Sequence, residues 1–108
     1  MFRITGGKGF QMTFANGWTV SVQFGTGNYC DNRRMIFTSA SDQIAGQEGS
    51  ANAEVAAWDA DGRWYYFGSD TVSGYRTADE VANFIANVAH YGGGRVSFRT
   101  SPEHKGNP

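Results

Sequence analysis

The stretch GFQMTFANGWTVSVQFG, residues 9–25, constrains the fold more than any other part of the chain. Phe10, Met12 and Phe14 alternate with Gln11, Thr13 and Ala15, and Trp18, Val20, Val22 and Phe24 alternate with Thr19, Ser21 and Gln23. Successive side chains of an extended chain point to opposite faces, so each arm has one apolar face. Asn16-Gly17 stands between the arms and supplies the two positive-φ residues that a tight type I′ turn needs. The spacing predicts a β-hairpin with its apolar face on a core. The opposite face carries Gln11, Thr13, Ser21 and Gln23, polar and uncharged. Such a face either meets solvent or lines a pocket or an interface.

A second hairpin is expected in AEVAAWDADGRWYYFGS, where Val55, Ala57 and the run Trp64–Phe67 flank the turn residues Asp59, Asp61 and Gly62. YRTADEVANFIANVAHYGGG reads as a helix. Thr77 and Glu80 form a T-x-x-E capping box, and Asp79 adds favourable charge to the first turn. Val81, Phe84, Ile85 and Val88 then fall on one apolar stripe, and GGG at 92–94 is expected to end the element. Short strands are expected at 35–37 and in RVSFR at 95–99, with a loop over 39–53. The sum is an α+β fold: an antiparallel sheet of five to six strands, including two hairpins, with one amphipathic C-terminal helix on one face. At 108 residues this is a single domain over 1–100 with a flexible tail at 101–108.

Nine basic residues face ten acidic ones, which excludes the basic field of a protein that grips long nucleic acid. A small anionic ligand held by a few local cations remains compatible with that balance. A single cysteine cannot close an internal disulfide. The opening MFRITGGKGF has no apolar leader pattern, and no apolar run approaches the roughly 20 residues that span a bilayer. The expectation is a cytoplasmic protein without a membrane partner.

Residues that carry chemistry are few. Cys30 is the one candidate nucleophile, and it needs a base, for which only His90 and His104 exist. No nucleophile elbow, Walker loop or zinc-protease motif is present, and GTG at 25–27 and GGKG at 6–9 follow no strand-to-helix pattern. Asp59-x-Asp61-Gly62 resembles half a calcium loop without its later ligands. No catalytic residue, metal ligand or cofactor is assigned.

FGTGNYCDNRR, residues 24–34, gathers polar and aromatic groups that no hydrophobic pattern requires. Pairing within the first hairpin brings Lys8 to the start of this stretch. Lys8, Asn28, Tyr29, Arg33 and Arg34 thereby share one neighbourhood. Arg and Lys hold phosphate, Tyr stacks on a base, and Asn reads a base edge. The same residues also describe a solvated turn, with Asn28 as an Asx-turn former and Tyr29 as a core anchor.

The pattern G-K-G-F, T-F-x-N-G and S-V-Q-F-G-x-G-N-Y-C, together with the EVAAWDADGRWYYF hairpin and its helix, resembles small uncharacterised proteins encoded by bacteriophages and prophages. The resemblance implies an accessory protein of the host bacterium's cytoplasm that counters host defence by binding. Its leading form sequesters a small nucleotide-like signal as a homo-oligomer. One alternative is an inhibitor docking on a host protein through Trp58, Trp64 and Tyr65, and a further one is a Cys30-dependent enzyme.

Overall fold

The computed structural model describes residues 1–6, 8–33 and 49–91. Five strands, β1 (Phe2–Ile4), β2 (Gly9–Thr13), β3 (Thr19–Gln23), β4 (Asn52–Trp58) and β5 (Ser73–Thr77), form one antiparallel sheet in the order β1-β2-β3-β4-β5. One helix, α1 (Ala78–Ala89), follows β5 directly and packs on β3, β4 and β5. The fold is α+β, as the alternation and the capping box predict.

Register explains which face α1 covers. Phe10 and Met12 stand opposite Val22 and Val20, which stand opposite Val55 and Ala57. These rows meet Val81, Phe84 and Val88 of α1, and Val20, Ala57, Phe84 and Val88 lose all contact with solvent. Thr77 and Glu80 form the reciprocal capping box: Thr77 Oγ1 accepts from the Glu80 amide and Glu80 Oε1 from the Thr77 amide.

On the opposite face the uncharged polar groups satisfy one another. Gln23 Nε2 donates to Thr5 Oγ1 at 2.7 Å and to Ser21 Oγ at 3.0 Å, and Thr13 and Thr19 share a 2.8 Å hydroxyl bond. Thr19 and Ser21 are buried, so without these bonds each would bear an uncompensated desolvation cost.

The first turn differs from the expected type I′. Asn16 does not take a positive φ; only Gly17 does, at 90°. Gly17 N–H bonds Phe14 O and Phe14 N–H bonds Trp18 O, which closes a three-residue loop of the kind that ends on a left-handed glycine. The physical reason is that Asn16 is engaged elsewhere. Its Oδ1 accepts from Trp18 N–H, and its Nδ2 donates to Val88 O at 2.8 Å, with longer bonds to Ala89 O and Tyr91 O. The turn thus caps the C-terminal carbonyls of α1, which ends at Ala89, before the glycines at 92–94.

Two strands escape the sequence pattern and one expected strand does not form. β1 is only three residues long, and β5, SGYRT, carries a glycine and no alternation. The run Trp64–Phe67 makes isolated bridges rather than a ladder, because β5 occupies the adjoining part of β4's edge. It still alternates: Tyr65 and Phe67 pack on Phe84 while Trp64 and Tyr66 face solvent. The strands expected at 35–37 and 95–99, residues 39–48 of the expected loop, the glycine run at 92–94 and the tail at 101–108 lie outside the described residues. No helix among the described residues is long and apolar enough to cross a membrane.

Candidate functional site

The β2–β3 ladder runs one bond past the strands, from Phe24 N–H to Lys8 O at 2.8 Å. The chain then folds back on itself over residues 25–33. Asn28 N–H bonds Gly25 O, Cys30 N–H bonds Asn28 O, Arg33 N–H bonds Cys30 O, and Gly27 N–H bonds Arg33 O. Side chains complete the frame. Asn28 Oδ1 accepts from Gly25 N–H and its Nδ2 donates to Glu54 Oε1, while Glu54 Oε2 accepts from Tyr29 N–H. Asn52 Oδ1 accepts from Asp31 N–H at 2.8 Å, and the buried Asn32 donates to Phe24 O. The loop is therefore fastened to β4 at two points and held by four internal backbone bonds, with the buried Thr26 hydroxyl left without a partner among the described residues. Such a backbone has little conformational freedom left.

The predicted site residues fall into distinct positions on this frame. Lys8 lies across the loop's glycines: a Cβ at Gly25 would come within 2.7 Å of Lys8 Cγ, and one at Gly27 would stand 4.0 Å from Lys8 Nζ. Arg33 stacks on Tyr29, its Cζ 4.5 Å from the ring centroid. Gly27 N–H bonds Arg33 O, which joins the two ends of the loop through the backbone. Among the described residues neither Lys8 nor Arg33 forms an ion pair with a carboxylate. Asn28 uses both ends of its amide to hold the loop, so it positions the site. Arg34 lies outside the described residues. Cys30 is buried, with its thiol donating to Gly25 O at 3.6 Å, which makes it part of the loop's packing.

Sequence reading missed the other wall. Between Ala53↔Arg76 and Val55↔Ser73 the register slips, so Gly74 and Tyr75 both oppose Glu54 in a β-bulge. Tyr75 takes φ 56°, a left-handed conformation that costs a non-glycine residue about 1–3 kcal/mol. Its N–H bonds Tyr29 O at 2.8 Å. Gly74 has no side chain to keep Tyr29 away; a Cβ there would sit 2.5 Å from Tyr29 Cβ. The bulge and the loop thus lock together. They leave an open recess of about 390 Å³ lined by Tyr29, Asp70, Thr71, Val72, Gly74 and Tyr75. The available signal was the glycine inside SGYRT, because a glycine in a strand marks a bulge or a close backbone approach. A separate apolar cleft of about 440 Å³ opens along part of the boundary between α1 and the sheet, lined by Phe10, Val22 and Phe24 on one side and Val81 and Ile85 on the other.

Trp58 and Trp64 pack with ring centroids 4.9 Å apart, and Tyr65 turns to the core. Asp59 and Asp61 both pair with Arg63, at 3.0 and 3.1 Å. The Arg63 backbone N–H, partly opposed by desolvation and reinforced by the Arg63 guanidinium, holds the Asp59 carboxyl below the usual carboxylate range. His90 is the C-cap of α1. Compared with known proteins, the chain matches no family model, no curated protein and no solved structure.

Proposed function

We propose that the chain is a non-enzymatic binding protein that sequesters a small nucleotide-like ligand at the 24–33 loop, as a phage-type accessory protein of the bacterial cytoplasm. The observation that carries this reading is the Arg33 guanidinium stacked on Tyr29 without a carboxylate partner among the described residues. A cation already laid on an aromatic ring presents its remaining N–H donors to an anion, and the fork of a guanidinium matches a phosphate. Lys8 adds a second charge over glycines that allow close approach. Arg34, the next residue in the sequence, belongs to the proposed set. Oligomerisation belongs to the same proposal, and the exposed Phe2 and Ile4 of β1 are the apolar surface it would cover.

Thermal shift of the purified protein against linear and cyclic nucleotides tests the reading. A ligand at 100 times its Kd stabilises by about 2.7 kcal/mol, raising the midpoint of a domain this size by about ten degrees. The Arg33→Ala, Arg34→Ala double variant should keep its own midpoint and lose that rise. An undiminished rise in the double variant overturns the site.

A second reading is favoured by Trp64 and Tyr66, which are 46% and 56% exposed on one arm. Aromatic side chains of this kind anchor protein interfaces. This reading expects a flat nucleotide panel, and capture of a host protein that is lost in Trp64→Ala.

A further inference from the structure

We propose that the recess between Tyr29 and Tyr75 is the base-binding half of the site, and that the base it selects is guanine. The inference rests on the nucleotide reading of the adjoining loop. Two half-exposed tyrosines, one from the loop and one from the bulge, bound the recess. The Tyr75 ring and the Tyr29 face that Arg33 leaves uncovered can stack on planar bases without regard to their identity. The geometry that holds them is built in: Tyr75 is kept in a left-handed conformation by its bond to Tyr29 O, and Gly74 allows the two segments to touch.

Identity comes from Asp70. Its main chain bonds Phe67 in both directions, which fixes its place at the recess. Asp70 is exposed at the recess, and its carboxylate makes no hydrogen bond or ion pair with another described residue. An ionised carboxylate accepts hydrogen bonds at two oxygens and donates none. Guanine offers two parallel donors on one edge, N1–H and the 2-amino group. Adenine and cytosine each place a ring-nitrogen acceptor beside one amino donor, and that acceptor would face a carboxylate oxygen. Uracil flanks its single N–H with two carbonyls. Guanine alone satisfies both oxygens. Charge sets the direction of the ligand as well: Asp70 repels phosphate, whereas Arg33, laid on Tyr29, attracts it on the loop side.

Calorimetry on the full chain with GMP, AMP, IMP and guanosine tests this. GMP should bind about tenfold or more tighter than AMP, and IMP, which lacks the 2-amino group, should fall between them. Asp70→Asn should weaken GMP by about the same factor and tighten AMP, because the amide pairs an acceptor with a donor and so matches the adenine edge. Tyr75→Gly relieves the left-handed strain, so it should fold at least as stably as the parent and still lose GMP affinity. Equal affinity for GMP and AMP, both weakened by Arg33→Ala, overturns the guanine assignment and leaves the loop reading standing. Unaltered GMP binding in a folded Tyr75→Gly variant overturns the recess as the base site. Absence of binding by all four probes overturns the guanine assignment, and a flat response to the linear and cyclic nucleotide panel as well overturns the loop reading with it.

Discussion

Gly74 shows how one residue sets the geometry of a site. Its missing side chain is what lets the Tyr29 Cβ and carbonyl lie against β5. Gly74→Ala puts a methyl group 2.5 Å from Tyr29 Cβ and 3.0 Å from Tyr29 O, neither of which is the far end of a flexible chain. The strand and the loop must then separate. The expected cost is about 1–3 kcal/mol, read as a lower midpoint in urea or heat. The Tyr29–Tyr75 backbone bond breaks with it, so hydrogen exchange at the Tyr75 amide should accelerate more than at amides of β3. A variant with parental stability and unchanged exchange would show that the approach of loop and strand is not as close as described.

The two hairpin loops share one geometry. Phe14-Ala-Asn-Gly-Trp18 and Asp59-Ala-Asp-Gly-Arg63 each close with two backbone bonds around a left-handed glycine, Gly17 at φ 90° and Gly62 at φ 82°. Both were legible as turns, because Asn16-Gly17 and Asp61-Gly62 are dipeptides that favour tight turns. Their exact type was not legible, because Asn16 is claimed by a helix end 72 residues away along the chain. The same limit applies to the candidate site. Lys8's approach to the loop followed from hairpin pairing, which is local. Glu54 and Tyr75 reach the loop from β4 and β5, and no spacing within residues 24–34 announces them. In the second loop Asp59 accepts from the amides of Asp61 and Arg63 as well as from the guanidinium. With its folded pKa depressed, Asp59 stabilises the fold at pH values above the unfolded carboxylate pKa, and this contribution disappears as pH falls through the folded value. Below about pH 4 the parent should therefore lose stability more steeply than Asp59→Asn in a series of melts. Parallel acid limbs for the two proteins would remove Asp59 from the account.

At the scale of the whole molecule, α1 covers β3, β4 and β5, and the apolar rows continue past it onto β2 and β1, ending in the exposed Phe2 and Ile4. The sheet edge is closed to casual pairing by its shortness and by Arg3 at its centre. The helix is tied to the opposite end of the chain by the Asn16 bonds and by Trp18, whose ring meets Tyr91 edge-on at 5.2 Å. Asn16→Ala should cost about 1 kcal/mol of equilibrium stability. The consequence is kinetic. A contact that joins residue 16 to residue 88 closes a very long loop, and such contacts form after the transition state has gathered its local pairs. The variant should refold at the parental rate and unfold about five times faster in stopped-flow dilution. A slower refolding limb would place the clasp inside the folding nucleus instead. Held shut late and released first, this fastening governs how long the native state lasts rather than how quickly it is reached.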